Sequence, residues 1–553
     1  MNHETADTNE LFAESAIARL VRSFVLRAGM DERVAEICGR TMAGEESGGV
    51  CIPLNDDEVE LLKASPLVFI ADASKPESKP CDKLFVLAHN RLYTRRNWCH
   101  EQFVRERIKS MAGGKPPFEN AIDIPGDGAF KNLNGLQREA IQKLGSHRFT
   151  IMTGGPGTGK TYTIARAVKL IQGQKPDLRL GLAAPTGKAA TRVKEAMVKE
   201  AKVLGLDNIP DTTTLHSLLG SNYDFVTFRH DHSNPLDLDW LIVDEASMIS
   251  LSMMAKLLDA LPEQCGLTLV GDASQLSSVE PGRVFGDLCK MRIIAENGCK
   301  CELRDSKRFP ADGEIAKLAE CIKNGDAEGA LDCLKAGQEF VHYCNRLKTD
   351  TEGEHADSKT SFGKIIEEHF SAFCQQDTPE GALAALNDCK ILCAVRKGRF
   401  GGEKLNQLVL GKLQKRNRNC PIPMMITKND KNLGVSNGDV GVILPAQGEK
   451  LFLPEADGIR SISLPLLPNR EMAFASTIHK VQGSEFNDVI IVLPPINTYN
   501  EENPVQSMLT RELLYTALTR TKGGVYLFAE DNAVKHCCLH EIQRHTGLSD
   551  DKR

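Results

Sequence analysis

The sequence predicts an α/β chain built on two parallel sheets, preceded by a mainly helical region and interrupted late by a short β-rich insertion. Three observations carry that expectation. Short apolar runs alternate with helical periodicity in two separate sets along the chain. Several of those runs end on Gly or Asp, as strands do where a parallel sheet meets its ligand. A glycine-rich loop follows the first strand of the first set and opens its first helix. With 553 residues, the chain has room for roughly three to four domains.

Taken in order, Leu11 to Ala28 and Val34 to Met42 have helical periodicity, and short apolar alternation follows at Leu67 to Ala71 and Lys83 to Ala88. The stretches ASKPESKP (73–80) and GGKPPFEN (113–120) punctuate this region. The second is read as a boundary, so residues 1–115 are expected to form a domain of their own. The next expected domain, 116–297, carries FTIMT (149–153), a helix to about 172, LGLAAPT (180–186), WLIVDEAS (240–247) and LTLVGD (267–272). The third, 298–553, carries ILCAV (391–395), VIIVL (489–493) and VYLFA (525–529). Within it, the polar stretch 348–361 is expected to be a surface loop, and the β-rich insertion is expected at about 434–470, where NGD marks a turn.

Composition narrows the function. Lys and Arg number 68 against 74 Asp and Glu, a net charge of −6, which excludes a basic coat over the whole surface. Any nucleic-acid site must therefore be a local groove. There is no apolar run of 18 residues, so no membrane span is expected. The polar start MNHETADTNELF lacks the features of a secretory signal, which predicts a cytoplasmic protein. Seventeen scattered Cys without matched pairs at zinc spacing are read as reduced thiols.

The chemistry concentrates in a few segments. Gly154, Gly155, Pro156, Gly157, Thr158, Gly159, Lys160 and Thr161 fit G-x-x-x-x-G-K-S/T, a loop whose N–H groups and following helix cradle phosphates. Lys160 is expected to reach the β- and γ-phosphates of ATP and Thr161 to hold Mg²⁺. Asp244 and Glu245 emerge at a strand end, where Asp244 would hold Mg²⁺ and Glu245 would activate water. A helix N-cap is the plainer role for Asp244. Gln275, just past another strand, could sense the γ-phosphate, or belong to an ordinary capped turn. Gln137 could read the edge of adenine, although a lone helical Gln is more often solvated. Arg520 and Arg308 are candidate arginine fingers, with surface ion pairing as the alternative for each.

In this order, the segments NLNGLQREAI, TGGPGTGKT, AAPTGKAA, TTLHSLLG, LIVDEASMIS, VGDASQL, DSKRF, ILCAVRKGRFG, MITKNDKNLGVSNGDVG, STIHKVQGSE and YTALTRTK resemble the motifs of superfamily-1 DNA helicases. The likeness is strongest to the RecD family, the α chains of exodeoxyribonuclease V, and it spans about 132–522. RLYTRRNWCHEQFV (91–104) resembles that family's partner-binding domain. The resemblance implies two RecA-like P-loop NTPase domains with ATP in the cleft between them, single-stranded DNA across their top, and a small β-barrel as the insertion. It places nucleotide roles on Gln137, Lys160, Thr161, Asp244, Glu245, Gln275, Arg308 and Arg520. Strand contacts would fall on Pro185, Thr186, Thr214, His216, Asn437, Thr477 and His479, of which His479 could also be a core histidine.

The function so implied is an ATP- and Mg²⁺-dependent 5′–3′ DNA helicase, the motor subunit of an exodeoxyribonuclease V complex in double-strand break repair and homologous recombination. Its expected partners are single-stranded and duplex-end DNA and the exodeoxyribonuclease V beta and gamma chains, with the nuclease site on another chain. It would be cytoplasmic, and associated with the nucleoid when bound to DNA. Three alternatives stand beside it: a free-standing RecD-like helicase, an ATP-gated assembly subunit whose motor is silent, and an RNA helicase of related fold.

Overall fold

The computed structural model describes residues 16–71, 82–115, 122–206, 209–221, 227–310, 312–337, 339–345, 362–430, 432–455, 458–496 and 506–549. The expected surface loop at 348–361 lies outside them. The chain divides into two compact units: Met1–Arg304 with Gln543–Arg553, and Asp305–Ile542.

Among the described residues, the first unit holds the helices Ala16–Arg27, Glu32–Glu46 and Asp56–Lys63 and four strands: β1 (Cys51–Pro53), β2 (Val68–Ile70), β3 (Phe85–Ala88) and β4 (Arg91–Thr94). They pair in the order β1-β4-β3-β2, with β2 and β3 parallel and the rest antiparallel. The region is mainly helical, as expected, with the short strands forming one small sheet among its helices. The two-residue turn His89–Asn90, with both residues at positive φ, closes β3 against β4.

The helix Arg95–Ala112 ties this region to the next sheet. Its stripe Val104, Ile108 and Met111 is fully buried in the same core as Phe149, Ile151, Leu257 and Leu267. The expected independence of residues 1–115 is thereby corrected, because an amphipathic helix must bury its stripe and this one buries it against a sheet outside its own region.

That sheet holds β5 (Phe149–Gly154), β6 (Leu180–Ala184), β7 (Thr212–Thr214), β8 (Trp240–Val243), β9 (Gly266–Gly271) and β10 (Lys300–Leu303). Its order is β10-β5-β9-β8-β6-β7 and every pair is parallel. The strands β5, β8 and β9 are buried along their whole length, as expected of a parallel sheet covered on both faces. Because β10 pairs with β5, the expected boundary after residue 297 moves to follow Arg304. The chain also re-enters this unit at Gln543, where Leu548 is 1% exposed in the shared core.

The second unit opens with the helices Glu314–Asn324 and Ala327–Lys335, then β11 (Val341–Cys344) and β12 (Cys389–Cys393). An antiparallel insertion comes next, made of β13 (Ile422–Ile426), β14 (Val440–Ile443), β15 (Lys450–Glu455), β16 (Gly458–Ser463) and β17 (Arg470–Met472). The main sheet resumes with β18 (Ala475–Thr477), β19 (Asp488–Val492) and β20 (Val525–Phe528) and is parallel throughout, in the order β11-β20-β19-β12-β18.

The insertion's order is β16-β15-β14-β13-β17, and Met424, Ile426, Leu451, Leu453 and Ile462 form its own small core. It starts at Ile422, earlier than expected, because β13 is paired on both sides within the module. Among the described residues no pairing joins the edge strands β16 and β17, so the expected barrel is seen as a five-stranded open sheet. The described cysteines are free thiols. Among the described residues no helix is long and apolar enough to cross a membrane.

Candidate active site

In the first unit, the residues singled out from the sequence fall along the carboxyl edge of one sheet. The loop after β5 leads into the helix Lys160–Gln174, with Gly159 at φ +83 in the left-handed region as its N-cap. Glycine is also required there for space: a Cβ on Gly159 would lie 2.7 Å from Gln137 Nε2. At the start of the loop, a Cβ on Gly154 would lie 2.7 Å from the Leu303 carbonyl oxygen of β10. Lys160 Nζ donates to the carbonyls of Gly154 and Gly155 at 2.7 and 3.2 Å, and Thr158 Oγ1 donates to the Gly155 carbonyl at 2.8 Å. Thr161 is half-buried in the first turn of the helix.

Gln137 is 3% exposed. Its Oε1 accepts from the Asn134 N–H at 3.2 Å, completing a capping box, and its Nε2 donates to the Thr158 carbonyl at 3.2 Å. The amide thus holds the phosphate-loop backbone against the start of its own helix. Sequence reasoning misses Asn134 as a functional residue, although its N-x-x-Q spacing to Gln137 is a legible cap signal.

Across the sheet, Asp244 follows β8 and is 8% exposed. Burial, with the Glu245 carboxylate adding to it, pushes its pKa up to about 6, while Lys160 and Arg192 pull the other way. Its Oδ1 accepts the Glu245 N–H at 2.8 Å. Glu245 itself sits at φ +53, a conformation that costs a non-glycine residue about 1–3 kcal/mol. Past β9, Asp272 Oδ1 accepts the Ser274 N–H at 2.9 Å and Gln275 Nε2 donates to Asp272 Oδ2 at 3.3 Å, which fixes the Gln275 turn.

The strand-contact candidates occupy the next part of the same edge. Pro185 and Thr186 follow β6, and Thr214 ends β7, which pairs with β6 through Ala184 and Thr214. Thr186 and Thr214 both cap helices, accepting from the Ala189 and Ser217 N–H groups at 3.3 and 3.1 Å. His216 is exposed and its ring is tilted against Phe228, centroids 5.9 Å apart. Partial desolvation of the ring by its neighbours holds its pKa below the ordinary value, with Glu280 opposing and Lys256 reinforcing that shift. Phe228 carries no sequence signal.

In the second unit, Arg308 and Arg520 converge on the segment Ser484–Glu485. Arg308 Nη2 pairs with Glu485 Oε1 at 2.5 Å. Arg520, 2% exposed, donates from Nε to the Thr516 carbonyl at 3.1 Å and from Nη1 to the Ser484 carbonyl at 3.3 Å. Thr477 ends β18 and His479 lies half-buried in the short turn after it. A cavity of about 200 Å³ at this point is lined by Arg396, Asn406, Glu471, Thr477 and Lys480, among others. Asn406, which carries no sequence signal, holds β18 by donating to the Met472 and Ala475 carbonyls at 3.0 and 2.9 Å and accepting the Ala475 N–H at 2.8 Å. Asn437 is not brought to this edge. It is exposed in a turn of the insertion, its N–H donating to Asn429 Oδ1 at 2.6 Å.

The AAA domain family matches residues 137–281, and the UvrD-like helicase C-terminal domain matches residues 472–528. The chain is 34% identical to the RecBCD enzyme subunit RecD of Mycolicibacterium smegmatis, over 98% of this chain and 94% of that protein. It is 34% identical to the RecBCD enzyme subunit RecD of Haemophilus influenzae, over 74% and 71%. To the ATP-dependent RecD2 DNA helicase of Deinococcus radiodurans it is 30% identical, over 72% of this chain and 49% of that one. Among solved structures, Bacteroides Pif1 bound to ssDNA is similar at 17% identity and a TM-score of 0.42, covering 72% of this chain and 93% of that one.

Proposed function

The chain belongs to the RecD family of ATP-dependent DNA helicases, and on that premise we propose that it is a 5′–3′ motor, a subunit of an exodeoxyribonuclease V complex of the RecBCD type. In this reading it works in double-strand break repair and homologous recombination, in the cytoplasm and on the nucleoid, with beta and gamma chains as partners and the nuclease site on another chain. The observation that carries the reading is the division of one sheet edge. Phosphate-loop, carboxylate and Gln275 segments follow β5, β8 and β9, and the strand-contact candidates follow the adjoining β6 and β7. A motor needs the two chemistries on one rigid body, so that a change at the nucleotide is felt at the strand.

In this assignment the loop Gly154–Gly159 and Lys160 hold the ATP phosphates, and Glu245 orients and deprotonates the attacking water. Gln275 follows the γ-phosphate, and Arg308 and Arg520 stabilise charge on the transferring phosphoryl group. Gln137 contributes by fixing the loop, whichever edge of adenine it also meets. The Thr161 hydroxyl and Asp244 carboxylate are hard oxygen donors that suit Mg²⁺. Asp244 is 8% exposed beside Glu245, and a cation would offset the cost of burying its charge. Bound there, Mg²⁺ would supply charge neutralisation at the phosphates. Pro185, Thr186, Thr214, His216, Thr477 and His479 grip the strand through stacking and polar contacts, with Asn437 contributing from the insertion.

The domain assignment is carried in revised form: an N-terminal region for partner binding, a first motor domain ending near Arg304, and a second with the insertion. The subunit reading is favoured over the free-standing one by likeness along this chain. It is 34% identical to the M. smegmatis subunit over 98% of this chain, and 30% identical to the D. radiodurans helicase over 72% of it. Strand displacement on duplexes with a 5′ tail, a 3′ tail or blunt ends tests the proposal, alone and with the partner chains. Unwinding confined to the 5′-tailed substrate is expected. Preference for the 3′ tail would reject the polarity, and full activity indifferent to the partner chains would favour the free-standing helicase.

A further inference from the structure

The segment Gln543–Leu548 is stitched to the first unit along its length. The His545 carbonyl accepts from the Val50 and Cys51 N–H groups at 2.8 and 3.3 Å. Thr546 Oγ1 and the Gly547 N–H donate to Glu101 Oε2 at 3.1 and 2.9 Å, and Arg105 donates to the Gly547 carbonyl. Leu548 is buried in the core. These contacts anchor the segment but do not account for Arg544, which reaches the other way. Its Nη1 donates to the carbonyls of Glu280 and Gly282 at 3.1 and 2.9 Å.

That loop is placed where it could matter to the chemistry. Ser250 Oγ donates to Glu280 Oε2 at 2.6 Å, and the Leu251 N–H donates to the Pro281 carbonyl at 3.0 Å. Ser278 Oγ donates to the Glu280 carbonyl at 2.8 Å. The loop therefore joins the stretch that follows Asp244 and Glu245 to the stretch that follows Asp272 and Gln275. Both bonds come from the single Nη1, which the planar guanidinium holds in a fixed direction where a freely rotating ammonium would not. The fit around it is close. Gly48, at φ +88, lies under the guanidinium, where a Cβ would come within 2.7 Å of Arg544 Cζ, and the Gly48 carbonyl accepts the Gly282 N–H at 2.9 Å.

We propose that Arg544 is a positioning residue for ATP turnover, holding the Glu280–Gly282 carbonyls so that the Gln275 turn keeps its register with the Asp244–Glu245 segment on the adjoining strand. The inference rests on the nucleotide roles given to those residues above. It is tested in the full chain by measuring kcat, KM for ATP and melting temperature, with saturating oligothymidylate, for Arg544→Ala, Arg544→Lys, Leu548→Ala and Lys160→Gln.

Arg544→Ala is expected to lower kcat about tenfold, inside the hundredfold range that misplacing a positioning group costs, with KM for ATP little changed. Arg544→Lys should recover part of the loss, since an ammonium can donate to the same carbonyls but lacks the planar group over Gly48 that fixes Nη1. Leu548→Ala removes buried contacts of the same segment without touching the loop, so it should lower the melting temperature more and kcat less. An unchanged kcat in Arg544→Ala overturns the inference, as does a loss that merely tracks melting temperature across Arg544→Ala and Leu548→Ala. If Lys160→Gln still turns over ATP, the nucleotide reading itself fails. If Lys160→Gln is dead and Arg544→Ala is normal, only the role of Arg544 fails.

Discussion

Two strands, β5 and β12, each lead through a glycine-bearing loop into a helix of 15 residues, Lys160–Gln174 and Gly402–Arg416, and the two loops offer opposite kinds of contact. After β5 the loop is almost all backbone. Its one cation, Lys160, is turned onto the loop's own carbonyls, and the buried Asp244 stands on a neighbouring part of the sheet edge. After β12 the loop carries Arg396, Lys397 and Arg399. The Arg396 side chain is 63% exposed, pairs with Glu403 at 3.0 Å, and lines a cavity with Thr477 and Lys480. In the proposed function, the same strand, loop and helix would serve a compact polyphosphate where the loop is mostly glycine, and present a basic surface where side chains carry the charge. The fold supplies the place and the loop supplies the ligand.

The largest effect should come from breaking the β5 loop. Lys160→Gln is expected to bring ATP hydrolysis to background with an unchanged circular dichroism spectrum. Next, Glu245→Gln should lower kcat about a thousandfold, the range of a lost general base, while nucleotide binding by fluorescence is retained. Arg520→Ala should lower kcat about a hundredfold, as for a lost charge-stabilising donor. Its melting temperature should fall as well, because the Thr516 and Ser484 carbonyls lose their donor. A fall in nucleotide affinity alone would mark Arg520 as structural.

The smallest effect lies away from both loops. Burial, reinforced by Glu101, pushes Asp287 from an ordinary 3.8 up to about 7, with Arg283 opposing. The folded chain then holds this proton to higher pH than the unfolded chain does. The stability linked to it is present at low pH and is lost as pH rises from about 4 through about 7. Asp287→Asn should flatten that part of the melting temperature against pH, and an unchanged slope would show that Asp287 does not titrate there.

The β5 loop was legible because its chemistry is local: glycine spacing, a Lys at the helix start and an apolar run before it suffice. Asp244, Glu245 and Gln275 were legible for the same reason, as polar residues at strand ends. The parts that were not legible depend on contacts far apart in sequence. The stripe Val104, Ile108 and Met111 announces an amphipathic helix, but not that its partner is the sheet containing Phe149. Lys300–Leu303 is too short and too polar to be assigned to β5 rather than to the following unit. The engagement of Gln137 depends on the left-handed turn at Gly159, and that of Arg544 on a loop more than 200 positions away, so neither leaves a periodic trace.

The proposed function sets the nucleotide at the β5 loop and the strand at Thr477, which lines one cavity with Arg396 of the β12 loop. Equilibrium binding of a fluorescent single-stranded oligonucleotide to Lys160→Gln and Arg396→Ala, over a range of salt, tests it most directly. Lys160→Gln should bind like the wild type, whereas Arg396→Ala should bind more weakly, with its salt slope reduced by about one. Loss of strand binding in Lys160→Gln with wild-type binding in Arg396→Ala would contradict the claim.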